Sequence, residues 1–200
     1  MNKSGHYITL IILSVFLLVS TNSFAIEWRL DPNNSQLNFI STKKTHISEI
    51  HQFKDIEGSY DSQGELILNV NLASVDTDND IRDQRMKEFL FEVSDFKTAR
   101  ICATIDTETI DAIAEGASFR LTVDATLELH GDKKPLTMDI IITRLVGAKL
   151  SVVSATPTII NVADFSLVAG IEKLQELAKL PSISHNVPVS FYLVFKLKHS

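Results

Sequence analysis

The stretch LELHGDKKPLT, Leu127 to Thr137, decides the fold. On its N-terminal side Leu121, Val123, Ala125, Leu127 and Leu129 alternate with Arg120, Thr122, Asp124, Thr126, Glu128 and His130. On its C-terminal side Leu136, Met138, Ile140 and Ile142 alternate with Thr137, Asp139, Ile141 and Thr143, and only Ile141 breaks the pattern. Successive side chains of a strand point to opposite faces, so a period of two gives each arm one apolar and one mostly polar side. Gly131-Asp132 supplies the backbone freedom for a reversal. Pro135 has no N–H to donate, which restricts it to a strand's start or to an unpaired position. The segment is a long β-hairpin.

Strand patterns continue outward from it. Glu27 to Leu30 is short, Asp31-Pro32-Asn33-Asn34 makes a turn, and Ser35 to Thr42 resumes with Leu37 and Phe39 on one face. Glu49 to Tyr60 carries Ile50, Phe53 and Ile56, with a bend at Gly58. Gln63-Gly64 turns into Glu65 to Leu72, where Leu66, Leu68, Val70 and Leu72 alternate with polar neighbours and Ile67. Ala99 to Ile110, Lys149 to Thr156 (after a turn at Gly147-Ala148) and Val187 to Leu197 are further strands. Two segments have helical spacing instead: Asp80 to Leu90, capped from within Asp76 to Asn79, and Ala169 to Leu180, ended by Pro181. About eight strands with two helices predict one antiparallel barrel or sandwich. Eight closed strands enclose a lumen that either fills with side chains or holds one small ligand, and periodicity does not choose between these.

The first 25 residues read as a secretory signal. Lys3 gives a positive start, Ile8 to Val19 is apolar apart from Thr9 and Ser14, and Ser23-Phe24-Ala25 offers small residues for cleavage before Ile26. An apolar run of about twelve is short of the ~20 needed to span a bilayer, and no later segment qualifies. The expected mature domain is Ile26 to Ser200, in the periplasm. Without Lys3 the formal charge of −6 becomes −7, and an acidic chain with no basic cluster is a poor partner for nucleic acid or an anionic membrane surface. Cys102 is the single cysteine, so no disulfide forms within the chain, and its apolar neighbours describe a buried inert thiol.

Little in the sequence promises chemistry. His46 and His51 fall on opposite faces of a strand, His130 sits at the hairpin turn, His185 lies in a loop, and none has zinc-site spacing. There is no G-x-S-x-G elbow, no cysteine nucleophile and no Gly-rich phosphate loop. The run Asp76 to Asp80 lacks the glycine and glutamate of a calcium loop and reads as helix capping. No catalytic residue, metal site or required cofactor is assigned. The positive signal is aromatic: eleven Phe, with Phe89, Phe91 and Phe96 clustered after the first helix. They are either ordinary core or the lining of an apolar cavity.

Several segments together resemble the YceI-like family of secreted lipocalin-like proteins. Asp31-Pro32-Asn33-Asn34-Ser35-Gln36-Leu37-Asn38-Phe39 is similar to its opening DP-x-x-S-x-x-x-F strand. Leu72 to Thr77, Arg82 to Met86, Phe89 to Val93, LELHGDKKPLT and Asp164-Phe165 follow in the family's order. Two departures are Lys97, where the family usually has proline, and the added length of the Ala169 to Leu180 helix, placed to cap or narrow a barrel mouth. The resemblance implies a mainly β fold, an eight-stranded antiparallel lipocalin-like β-barrel with two short helices. It also implies an isoprenoid lipid in the lumen, a polyisoprenoid or an isoprenoid quinone. Phe39, Phe53, Met86, Phe89, Phe91 and Phe191 are the residues expected to line that cavity. A packed interaction module, or an enzyme acting on a lipid or quinone, are the alternatives. The oligomeric state is left open, a homodimer included.

Overall fold

A computed structural model of the chain describes residues 27–198. The expected signal segment lies outside the described residues, as do His6 and His199. Twelve strands form one antiparallel sheet. They are β1 (Glu27–Leu30), β2 (Gln36–Lys43), β3 (Ile47–Phe53), β4 (Ile56–Asp61), β5 (Glu65–Asn71) and β6 (Val75–Asp76). After these come β7 (Thr98–Thr104), β8 (Ser118–Leu129), β9 (Asp132–Leu145), β10 (Lys149–Ser154), β11 (Thr158–Asn161) and β12 (Asn186–Lys198). The helices are α1 (Asp80–Arg85), α2 (Thr107–Asp111) and α3 (Val168–Ala178).

Eight of the strands close a ring in the order β1-β4-β5-β7-β8-β9-β10-β12, and β12 returns to β1 through Trp28↔Leu197 and Leu30↔Phe195. The remaining four extend it upward. β2 prolongs the line of β1, β3 that of β4, β6 that of β5, and β11 that of β10. The twelve segments are therefore eight strand lines, four of them broken.

At two of the breaks, hydrogen bonds to residues distant in sequence replace the ladder. Between β1 and β2, Ser35 Oγ donates to the Asp31 carbonyl (2.8 Å) and accepts from Val194 N–H (2.9 Å), replacing a ladder bond. Between β3 and β4, the amides of Lys54 and Asp55 turn to Ser74, its carbonyl at 3.1 Å and its hydroxyl at 3.0 Å. The single strand expected over Glu49 to Tyr60 is thus two, broken at Lys54-Asp55, and Gly58 pairs with Leu68 in continuous register, without a bulge. The strand expected to run from Ala99 to Ile110 stops at Thr104, because Asp106 caps α2 through the amides of Glu108 and Thr109. β11 was not anticipated.

The central hairpin is as read, except at its turn. His130 (φ 51°) and Gly131 (φ 83°) are the two corner residues, the type I′ pattern, and Asp132 already pairs with Leu129. The helical stretch from Asp80 to Leu90 is capped by Asn79, whose side chain accepts from Arg82 N–H, and finishes as a π turn over Met86–Leu90. α3 stops at Ala178, with Lys179 in a left-handed conformation, before Pro181 is reached.

In the lower half the ring is packed. Leu68, Val123, Ile140, Ile142, Leu150 and Phe195 are all at most 4% exposed and leave a void of about 50 Å³. α2 closes the floor with Ile110, while Arg144 donates to the Ile110 carbonyl (2.8 Å) and lies 5.2 Å over the Trp28 ring. Tyr60 is buried there, its hydroxyl donating to the Ile105 carbonyl at 3.1 Å.

A candidate functional site in the upper barrel

Above the breaks the inward side chains no longer meet. β2 turns Leu37, Phe39, Ser41 and Lys43 inward, and β3 turns Phe53, His51 and Glu49 inward. The register pairs Leu37↔Phe53, Phe39↔His51 and Ser41↔Glu49, so both strands pass from apolar to polar in the same direction, β3 at His51 and β2 one inward pair later at Ser41. α1 and its π turn present Arg82, Met86 and Leu90, spaced by four residues, the helical repeat that keeps side chains on one face. α3 lies across the top with Ile171, Leu174 and Ala178, and the hairpin contributes Leu127, Leu129, Leu136 and Met138. Together they enclose a cavity of about 510 Å³, within the ~300–1,000 Å³ range of small-molecule sites.

The aromatic part is a contiguous wall. Phe39 and Phe53 have ring centres 5.3 Å apart, and Phe53 and Phe91 5.7 Å, within the range of favourable aromatic pairs. Of the six residues expected to line the lumen, Phe39, Phe53, Met86, Phe91 and Phe191 do so. Phe89 does not. The π turn shifts the register so that Met86, Leu90 and Phe91 take the lumen side, and the Phe89 carbonyl is pressed against α3. A Cβ on Gly170 would come within 2.6 Å of that oxygen, so only glycine allows this crossing.

The polar end is a connected network. Glu49 accepts from Lys43 (2.7 Å) and from Arg82 Nη1 (2.8 Å). These contacts, Lys43 first, hold its carboxyl below the usual range against the opposing effect of burial. Arg82 also donates to the hydroxyl (2.8 Å) and carbonyl (2.6 Å) of Thr77. His51 is 4% exposed, with Nε2 2.8 Å from Ser41 Oγ and its ring 5.1 Å from Phe39. Burial, and then the Arg82 charge, push its pKa down, so the imidazole is neutral at neutral pH. Arg85 reaches the wall with one long contact, 3.4 Å to the Leu177 carbonyl.

His51, Arg82, Arg85 and the α3 side chains were not foreseen as lining. For β2 and β3 a signal was present: the alternate residues 37, 39, 41 and 43 and 53, 51 and 49 grade from apolar to polar. His130 lies outside the lining; it bonds Glu92 (2.9 Å) and stacks on Phe96 (4.2 Å), which ties the hairpin turn to the loop after α1. Among the described residues no three His, Cys, Asp or Glu side chains gather as metal ligands, and no helix is long and apolar enough to cross a membrane.

The YceI-like domain model matches residues 28–195. The structure is similar to a polyisoprenoid-binding domain from Saccharophagus degradans implicated in plant cell wall breakdown, with a TM-score of 0.84 and 37% identity over 86% of this chain and 98% of that one. It is also similar in fold to Burkholderia cenocepacia BcnA, with a TM-score of 0.64, 17% identity and coverage of 82% and 98%. A YCEI protein of Campylobacter jejuni shares the fold at a TM-score of 0.51 and 16% identity, with coverage of 75% and 85%. No curated protein matches the sequence.

Proposed function

The chain belongs to the YceI-like domain family, and from that premise we propose that it is a periplasmic binding protein holding an isoprenoid lipid, polyprenyl or quinone-type, in the upper lumen. The observation that carries this reading is the cavity of about 510 Å³, aliphatic and aromatic over most of its wall and polar at one end. A hydrocarbon chain gains about 0.8 kcal/mol per buried CH₂, so each five-carbon unit contributes roughly 4 kcal/mol of transfer free energy. The polar end around Glu49, His51 and Arg82 suits a headgroup. Similarity to a polyisoprenoid-binding domain supports the ligand class, and the signal-like N-terminus supports the compartment.

Binding without turnover is the reading that the polar groups favour. Ser41 and His51 stand at nucleophile–base distance, but Nδ1 of His51 has no partner where a triad needs an orienting group. Glu49 is committed to two cations. The rival reading, an interaction module with a packed core, requires a filled upper lumen, and the cavity counts against it. Protein purified from its own periplasm and extracted with organic solvent is expected to release a prenyl lipid detectable by mass spectrometry. Repeated extracts without one would overturn the assignment.

A further inference from the structure

The wall of the upper barrel is open on one side. β9 is bonded to β10 only from Ile140, opposite Ser154, onward, and its first half, Asp132 to Asp139, pairs with β8 alone. After Ser154 the chain steps away; its last backbone bond to β9 is Ala155 N–H to the Asp139 carbonyl at 2.8 Å, and it returns to the start of β9 through Ser166 Oγ donating to Asp132 at 2.7 Å. β11, which continues the line of β10, pairs only with β12. Two strand edges therefore border one seam, and among the described residues no backbone bond joins 132–138 to 158–161.

Prolines keep the seam from zipping. In a two-residue hairpin the pair Leu129↔Asp132 is hydrogen-bonded, and bonded and non-bonded pairs then alternate. Pro135, opposite Thr126, falls on a non-bonded pair, so the N–H it lacks is one that would have faced the seam. Pro157 stands just before β11 on the other side. The wall between is one side chain thick. Leu136 and Thr158 line the lumen and also an outer groove of about 340 Å³. Pro135, Pro157 and Ile159, 56% exposed, give the groove its apolar part, and Thr137, Thr156 and Thr158 make the larger, polar but uncharged part. Its carboxylate, Asp139, is engaged by the Thr122 hydroxyl at 2.7 Å.

Continuity gives the seam a use: Leu136 and Thr158 border both the lumen and the outer groove, so a chain longer than the lumen has a path between them. We propose that the seam between β9 and β11 is a second, lateral opening through which the far end of an isoprenoid chain leaves the lumen. The site is then built for chains longer than the lumen, with the polar end retained near Glu49 and Arg82. This rests on the lipid-binding reading above.

The test compares a short and a long prenol, farnesol with three units and solanesol with nine, loaded from phosphatidylcholine vesicles and quantified by mass spectrometry after gel filtration. Ile159→Trp, on the outer groove and outside the lumen lining, narrows the outer end of the seam. It is expected to leave farnesol loading within about two-fold of wild type and to lower solanesol loading about ten-fold or more. Equal losses for both prenols, or none for either, overturn the lateral opening while leaving lipid binding intact. A wild-type protein that takes up neither prenol overturns the lipid reading itself, and the opening with it. Hydrogen exchange on the unmutated protein gives a second readout. Solanesol, but not farnesol, slows exchange in 132–139 and 158–161 if the chain passes there, and no difference between the two overturns it.

Discussion

The lower and upper halves of this barrel use the same kinds of inward side chain and reach opposite outcomes. Below the break at Lys54-Asp55 the void is about 50 Å³, and above it the cavity is about 510 Å³. Leu, Ile, Val and Phe dominate both linings, so hydrophobicity is not what separates them. Closure is. Eight strands at hydrogen-bonding distance fix a diameter that side chains just fill. In the upper half β11 parts from β9, so the wall there is no longer drawn together by a closed ladder. Met138 and Phe191 belong to both linings and form the floor between the halves.

Truncation should separate the halves most strongly. Ile142 is 2% exposed in the filled ring, and Ile142→Ala is expected to cost about 2–5 kcal/mol by denaturant unfolding. Leu174, which already borders a void, should cost less than about 1.5 kcal/mol as Leu174→Ala, because few packing contacts remain to be lost. Equal costs would break the comparison. Next in size is the seat of α3. Gly170→Val drives a side chain into the Phe89 carbonyl and Leu90 Cα, with an expected loss of about 1–3 kcal/mol and increased protease access to α3. A fully stable Gly170→Val protein would mean that α3 is not seated on the π turn.

The smallest effects are those of pH, and they have opposite signs in the two halves. Burial pushes the Tyr60 hydroxyl in the lower half up to about 12. Its folded form holds the proton more tightly, so its contribution is complete below the unfolded value of ~10 and falls as pH rises toward 12. His51 in the upper half is shifted down by burial. Its contribution is complete above ~6.5 and falls as pH drops through and below that value. Tyr60→Phe should flatten the alkaline limb of a stability–pH curve and His51→Gln part of the acid limb. Crossed effects would show that the two groups are not where burial places them.

The period-two segments were legible because a strand's alternation is written residue by residue, and nearly every strand longer than four residues was located from it. The breaks were not, since three of the four involve a remote partner: Val194 for Ser35, Ser74 for Lys54 and Asp55, Asp139 for Ala155. Five lumen residues followed from an expected barrel and its aromatics. Phe89 failed because a π turn moves a helix face without any local signal in DQRMKEFL. His51 was weighed only with His46 as a metal pair; its alternation with Phe53 placed it inside.

The pairing of β1 with β12 has a consequence in time. Glu27 lies beside Lys198, so the last of the described strands closes the ring on the first. Hairpins such as β8–β9 can form early from neighbours in sequence, but the closed barrel cannot exist until β12 is available. Ring closure by β12 is thus the expected slow step of folding, and until it happens both the packed half and the hollow half remain open to water.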